Sequence, residues 1–562
     1  MQSDKSVVRD VVSLLIKKGL KHVVISPGSR HAPLSLSFFN RPEVTCHIVP
    51  DERAAAYFAL GIIQETQTPV ACICTSGTAV ANYTSAAAEA FYQELPLLLL
   101  SADRPVEWVD QGDGQTIRQH GVLAQHCLGS WTLHQDDEHG DIQWMNRRVL
   151  NQAWNLATGL PSGPIHLNIP LREPLYDLVE TTLTEVVDTK QLRGFSSLSQ
   201  AQLNWCSERI GAEKHVLLII GLHHPDNELT EAVAEFAKLP QVTVLTETTS
   251  NCGMGETISC IDRLLMSLSP EELETFVPDL LITVGSHIVS KKIKAFLRKA
   301  SIGEHWHIDP AGAHMDTFQH LSHVLQASAG ETIHAFAQAK PNTSDYHQKW
   351  FNVHTSNDAI QADIVKELPW CDMKAFQLLL PKLPAGSNFQ MGNSSVVRYI
   401  QLYNMNPELR YFGNRGTSGI DGCTSTASGM AAVSERITTL VTGDIAFLYD
   451  INGLWHDESI SNLKIILINN GGGGIFRIID GPRGTNALET IFETKHDKNA
   501  AHLAAHFGLD YSFAVDEQGL VNALDWLYLP GMKLLEVNTS GAMNDEQLRS
   551  VFKQLKHQRA AQ

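Results

Sequence analysis

Hydrophobic and polar positions along the chain alternate between two periods. An amphipathic helical pattern runs from about Asp4 to Lys18 and stops at Gly19; the apolar run His22–Ser26 (HVVIS) follows, then a PGSRHAP loop. Val44–Val49 leads into Pro50-Asp51-Glu52 and an alanine-rich helix, and Pro69–Thr75 leads into Ser76-Gly77-Thr78 and another; Leu95–Ser101 makes a fourth strand. These continuous apolar runs predict strands buried on both faces, with helix N-termini at the strand exits. A second series follows, His215–Gly221, Val242–Glu247, Asp279–Gly285 and His305–Asp309, and a third contains Ile437–Asp444, Lys464–Gly474 and Met532–Val537. Polar stretches at 187–199 and 337–358 predict linkers. The expectation is an α/β protein of three domains, each a mostly parallel sheet flanked by helices, with bounds 1–185, 186–350 and 351–562.

Composition narrows the function classes. The formal charge of −18 excludes general nucleic-acid binding, and an anionic small molecule would need locally gathered Arg and Lys. The nine cysteines include no CxxC pair and sit in apolar contexts, which predicts reduced core thiols. No signal-peptide pattern opens the chain, and the longest apolar runs fall far short of a membrane span, so a soluble cytoplasmic protein is expected.

Candidate chemistry concentrates where apolar runs end. ITTLVTGD (Ile437–Asp444) and KIILINNGGGG (Lys464–Gly474) each close on small polar residues, at the carboxyl edge where open α/β sheets bind ligands. A carboxylate, an amide oxygen and a glycine-rich backbone are hard oxygen ligands suited to Mg2+ holding a diphosphate. Singly, Asp444 could be a helix N-cap and Asn470 a turn residue. Together they are separated by the 25 residues of one strand–helix–strand unit.

This Gly-Asp…Asn-Asn pattern resembles the metal motif of thiamine-diphosphate enzymes. The resemblance implies that Asp444, Asn470 and the carbonyl of Gly472 hold Mg2+ or Mn2+, with Gly443 beside the cofactor; Ile445 stands where the family usually has glycine. Glu52 alone could merely complement a helix dipole. In this family a glutamate after an N-terminal strand hydrogen-bonds N1′ of the aminopyrimidine, and the segments DERAAAYFALG and Thr75–Pro105 resemble the pyrimidine-binding domain. Gly77 is implied beside the cofactor, Ile420 as the buttress that bends it, and Ile475 and Phe476 as the wall above its thiazolium; by themselves these last three could be ordinary core residues.

SPGSRHAPL (Ser26–Leu34), ADRP-x6-GDGQTIRQ (Ala102–Gln119), GNSSVVR (Gly392–Arg398), NRGTSGIDG (Asn414–Gly422) and GGIFRIID (Gly473–Asp480) resemble the menaquinone-pathway synthases of this family. That resemblance implies a transferase that decarboxylates 2-oxoglutarate and adds the succinyl unit 1,4 to isochorismate. It assigns Ser394, Arg398 and Arg415 to the carboxylate of the 2-oxoglutarate-derived part, and Ser29, Arg30, Arg104, Gln115, Lys291 and Lys292 to isochorismate. Arginine forks suit such dianions. Gly114 replaces a frequent asparagine, and Lys292 an arginine. The family also implies a homodimer, or a dimer of dimers, with active sites at subunit interfaces. Two rivals are a synthase of the acetohydroxyacid type and a non-catalytic thiamine-diphosphate-binding regulator. His305-x-His307 with Asp309 could mimic a metal site, but no further spaced ligands follow and structural histidines are expected.

Overall fold

The computed structural model describes all residues except 136–138, 182, 195, 457, 459, 480, 542 and 562. Three α/β sheets are present. The first runs Thr45–Ile48, His22–Ile25, Val70–Cys74, Leu97–Asp103, Ile165–Pro170, Gly129–Thr132. The second runs Val242–Thr246, Val216–Ile220, Leu280–Val284, Glu304–Ile308, Leu321–Leu325. The third runs Arg410–Phe412, Asn388–Met391, Thr438–Gly443, Leu463–Asn469, Lys533–Asn538, Asp510–Ala514. All pairings in the first two sheets are parallel, as are Asn388/Arg410, Lys464/Lys533 and Asp510/Lys533 in the third.

The apolar runs became strands because both faces are covered. In the second sheet Val216, Leu218 and Ile220 enter one core cluster while Leu217 and Ile219 enter another, and all five are fully buried. The first and third sheets share one topology. In chain order the first strand is central, the second pairs on one side, and the third on the other. This reversal opens a crevice between the exits of strands one and three. In each sheet a glycine just past the first strand lies hard against the exit of the third. A Cβ on Gly28 would come within 2.4 Å of Thr75 Cβ, on Gly221 within 2.5 Å of the Ser286 carbonyl oxygen, and on Gly392 within 2.9 Å of Thr442 Cα. Only glycine permits that approach.

The chain divides into two compact units. One comprises Met1–Arg193 with Asn414–Thr438 and Ala446–Leu463; the other comprises Gly194–Gly413 with Thr439–Ile445 and Lys464–Gln562. One expectation is corrected. Residues 337–358 are not a linker, because the helix Tyr346–Lys366 occupies most of that stretch. Tyr346 and Trp350 are fully buried, and the Tyr346 hydroxyl donates to the Phe276 carbonyl at 2.8 Å. The helix was hidden because part of its inward face is polar. Asn357 donates to Ser267 Oγ at 2.8 Å, and Gln361 donates to the Leu402 carbonyl at 2.9 Å.

The remaining peripheral features follow their chemistry. All nine cysteines are free thiols, eight of them buried, with Cys46 half-buried. His305 Nε2 and His307 Nδ1 both meet the Thr283 hydroxyl, at 3.0 and 2.9 Å. Among the described residues no group of three or more His, Cys, Asp or Glu is placed to hold a metal, and no helix is long and apolar enough to cross a membrane.

Candidate active site

In the second unit, Asp444 follows the third strand of its sheet and is only 4% exposed. Its Oδ2 accepts from the backbone N–H groups of Gly471 and Gly472, both at 2.9 Å, and its Oδ1 from that of Ile445 at 2.7 Å. Burial raises its pKa above the usual carboxylate value, and these amides and His496 pull it back. Asn469 is structural: its amide donates to Glu536 and to the Lys498 carbonyl. Asn470 differs. Its Nδ2 donates to Asp372 at 3.0 Å, which leaves Oδ1 as the atom to offer a ligand. A Cβ built on Gly443 meets nothing within 4 Å, so open space adjoins Asp444 on that side. Carboxylate, amide oxygen and the Gly472 carbonyl form a hard donor set that fits a divalent cation, and the open cradle at Gly443 fits its diphosphate. A cavity of about 710 Å3 lies alongside, lined among others by Asp372, Asn470, Arg477, Glu493 and His496.

Ser394 sits at the switch crevice of the same sheet, at φ 68° and ψ −124°, a conformation that costs a non-glycine residue energy. It precedes the short helix Ser395–Ile400, from which half-buried Arg398 projects with its Nε buried and unpartnered. Lys291 and Lys292, both exposed, open the helix Lys291–Lys299, capped by the Ser290 hydroxyl. Buried Glu247 holds that loop by accepting from the N–H groups of Val289 and Ser290 at 2.6 and 2.7 Å. Lys292 and Arg398 act on one group, Asp262, whose pKa burial raises and whose charged form both cations favour. Ile475 is buried; Phe476 packs on Phe492 with ring centroids 5.8 Å apart. Asp480, the last residue of that motif, lies outside the described residues.

In the first unit, Glu52 is the first residue of the helix Glu52–Thr66, whose Asp51 cap accepts from the N–H of Arg53 at 2.9 Å and of Ala54 at 3.3 Å. The cap bends the chain so that half-buried Glu52 stands at a strand exit. Burial raises its pKa, the backbone N–H opposes, and the Asp51 charge adds to the rise. A carboxyl so placed is biased toward the protonated form that can donate a hydrogen bond. Gly77, at φ 85°, donates its N–H to Gln119 Oε1 at 2.7 Å, and its Cα packs on the Gln115 backbone.

The structure brings Arg30 and Arg104 together. Buried Arg30 donates to the Leu171 carbonyl at 3.0 Å and to Glu173 at 3.1 Å; Arg104 Nη1 lies 3.9 Å from the same Glu173 oxygen and 3.3 Å from Asp113. Arg104 also donates to the Gly114 carbonyl at 3.1 Å. Gly114 thus serves through its backbone, whatever its side chain. Ser29 and Gln115 are exposed on the adjoining loops. Arg415 belongs to this first unit, in contrast to Ser394 and Arg398. Its loop is clamped by buried Glu89, which accepts from the N–H groups of Gly416 and Thr417 at 2.6 and 2.7 Å. Ile420 is half-buried, and its neighbour Asp421 accepts from the Tyr57 hydroxyl at 2.7 Å, on the helix that Glu52 begins.

Several residues around these candidate positions escaped sequence reasoning. Asp372, His496, Glu173 and Glu247 stand in no motif, and only the folded chain carries them to the loops they hold; Glu89 lay inside the quoted Thr75–Pro105 segment without being singled out. Gln119 lay within a quoted motif, and a polar residue that proves 1% exposed could have been suspected there.

Comparison with known proteins identifies the family. Residues 5–122 match the model of the thiamine pyrophosphate enzyme N-terminal TPP binding domain, and residues 199–378 that of the middle domain of thiamine pyrophosphate enzymes. A solved structure described as a thiamin diphosphate-dependent enzyme isolated from Mycobacterium smegmatis superposes with a TM-score of 0.69, covering 96% of this chain and 100% of that one; at 19% identity it speaks for the fold alone. Curated relatives named 2-succinyl-5-enolpyruvyl-6-hydroxy-3-cyclohexene-1-carboxylate synthase include those of Flavobacterium psychrophilum, 41% identical over 97% of this chain and 98% of that one, and of Flavobacterium johnsoniae, 40% identical over 98% and 99%. The relative from Cytophaga hutchinsonii is 38% identical over 98% of each chain. With likeness of this degree over nearly the whole of each chain, the chain belongs to the thiamine-diphosphate enzymes and, within them, to the 2-succinyl-5-enolpyruvyl-6-hydroxy-3-cyclohexene-1-carboxylate synthase family.

Proposed function

We propose that this enzyme, using thiamine diphosphate and Mg2+ or Mn2+, decarboxylates 2-oxoglutarate and adds the succinyl unit 1,4 to isochorismate, releasing CO2, in menaquinone biosynthesis. The observation that carries the reading is the likeness to synthases of that name over 97–98% of this chain and 98–99% of theirs. When bound, thiamine diphosphate supplies the electron sink that lets a 2-oxoacid lose CO2 and its remaining carbon add to an electron-poor alkene.

The chain's own residues do the rest. Asp444, Asn470 and Gly472 would hold the cation, and Gly443 leaves room for the diphosphate. Glu52, whose carboxyl burial biases toward the protonated form, would donate to N1′ of the aminopyrimidine. Gly77 and Ile420 would border the cofactor, and Ile475 and Phe476 would wall it. Arg30 and Arg104, with Ser29, Gln115, Lys291 and Lys292, would hold the isochorismate carboxylates. Ser394, Arg398 and Arg415 would hold the remaining carboxylate of the 2-oxoglutarate-derived part. Both substrates are dianions, and in a protein of net charge −18 only such local cation clusters can attract them. The domain bounds 1–185, 186–350 and 351–562 are part of this proposal, as is a homodimer or dimer of dimers whose sites each take Glu52 and Asp444 from different subunits.

The test is incubation with thiamine diphosphate, Mg2+, 2-oxoglutarate and isochorismate, followed by mass analysis. The expected result is the succinylated cyclohexene product with one CO2 per turnover. CO2 without the adduct, or turnover of pyruvate in place of 2-oxoglutarate, would overturn the substrate assignment.

A further inference from the structure

The segment Glu493–Lys498 wraps the glycine loop by three hydrogen bonds, two of them between backbones and one from the Asn469 side chain. Gly473 N–H donates to the Glu493 carbonyl at 2.7 Å, His496 N–H to the Gly471 carbonyl at 3.1 Å, and Asn469 Nδ2 to the Lys498 carbonyl at 2.8 Å. The wrap delivers the His496 ring to Asp444, with Nε2 3.4 Å from Oδ2 and the two side chains 9% and 5% exposed. Nε2 is buried and makes no hydrogen bond, so its meeting with Asp444 is an electrostatic contact. The other ring nitrogen is committed, because Nδ1 accepts from the Lys498 N–H at 3.2 Å. A histidine whose Nδ1 accepts must carry its proton on Nε2. The atom facing Asp444 therefore carries an N–H and cannot itself ligate a metal.

Asp444 Oδ2 already accepts from Gly471 and Gly472. The His496 Nε2–H, 3.4 Å away, adds positive potential at that same oxygen without hydrogen-bonding it, which turns it from metal duty and leaves Oδ1, which accepts from the Ile445 N–H, to face a cation. Outer partners of this kind fix ligand orientation in metal sites. Resting on the reading of Asp444 as a cation ligand, we propose that His496 is a positioning residue whose Nε2–H, held by the Lys498 backbone, orients the Asp444 carboxylate for Mg2+ diphosphate. It contacts neither substrate in this assignment, so its loss weakens cation capture and leaves the acceptor site intact.

The experiment compares His496→Gln, which keeps an N–H donor at a similar reach, with His496→Met, of similar length and without a donor. Mn2+ affinity is read by electron paramagnetic resonance in the presence of thiamine diphosphate, and the cofactor-free unfolding midpoint is measured beside it. His496→Met is expected to raise the Mn2+ Kd by roughly 10–100-fold; His496→Gln should stay within about threefold of the parent by the same donor argument. Equal affinity in His496→Met and the parent overturns the proposal, and so does equal loss in both variants. If His496→Met does not fold, the Gln variant decides alone, and a loss there beyond about tenfold overturns it. A parent protein with no saturable Mn2+ signal overturns the cation site itself, which separates that failure from this one.

Discussion

The Asp372 carboxylate accepts a hydrogen bond from the Asn470 side-chain amide at 3.0 Å while its other oxygen accepts from the Thr539 hydroxyl. That single bond decides which end of the Asn470 amide is available for a cation. In Asp372→Asn the new amide can donate to Thr539, whose hydroxyl can turn to accept, and keep an oxygen toward Asn470. Mg2+ affinity should then stay within about threefold, whereas Asp372→Ala should weaken it about 10–100-fold. Asp372→Ala should also cost about 1–3 kcal/mol of stability, from buried donors left without an acceptor. Mg2+ titration of the thermal stabilisation by thiamine diphosphate checks both. Equal behaviour of the two variants would refute the orienting role.

Glu52 stands where burial keeps its carboxyl protonated more readily than usual. Glu52→Gln keeps the shape and a donor but has no proton to exchange. Activity should fall by about 10²–10⁴-fold. Cofactor affinity, read by calorimetry, should move little; a parallel loss of binding would make Glu52 a structural residue.

The proposed interface sites predict rescue between dead variants. Mixing Glu52→Gln with Asp444→Ala protein under subunit exchange gives half heterodimers, each with one intact site, so recovery should approach about one quarter of the parental activity. No recovery after mass-verified exchange would place both residues of each site on one chain.

Arg104 stands 3.9 Å from the Glu173 oxygen that Arg30 reaches at 3.1 Å. Arg104→Lys keeps the charge but loses the fork. The KM for the acceptor should rise by about 10–100-fold with kcat changed much less. Steady-state kinetics over both substrates tests this, and an effect confined to 2-oxoglutarate would reassign the residue.

Acid stability carries opposing contributions. Burial lowers His166 and His305 to about 4, so each contributes stability that is present above pH 6.5 and lost as the pH falls toward 4. Burial raises Asp372 and Asp450 to about 6, so each contributes stability that is lost as the pH rises through about 4 to 6. Asp450→Asn removes one of the latter. Its cofactor-free unfolding midpoint should fall more steeply than that of the parent between pH 6 and 4. An equal or shallower slope contradicts the assignment.

What was legible in the chain was local. Continuous apolar runs ending in Gly-Asp, Asn-Asn or Gly-Ser announce buried parallel strands and their exits, because strand burial and loop chemistry are written in neighbouring residues. Asp444 and Asn470 stood out in that way, by the spacing of one strand–helix–strand unit, whereas Glu52 and the arginine loops were singled out by resemblance to thiamine-diphosphate enzymes. The helix Tyr346–Lys366 was not, because buried Asn357 and Gln361 find partners only in distant segments and their polarity masked the apolar stripe. Tertiary structure alone decided that Glu173 bridges toward two arginines, that Asp372 turns the Asn470 amide, and that the Glu493–Lys498 wrap brings His496 to Asp444. The orientation of a charged or amide group is set by whichever partner reaches it across the fold, and no local period records that partner.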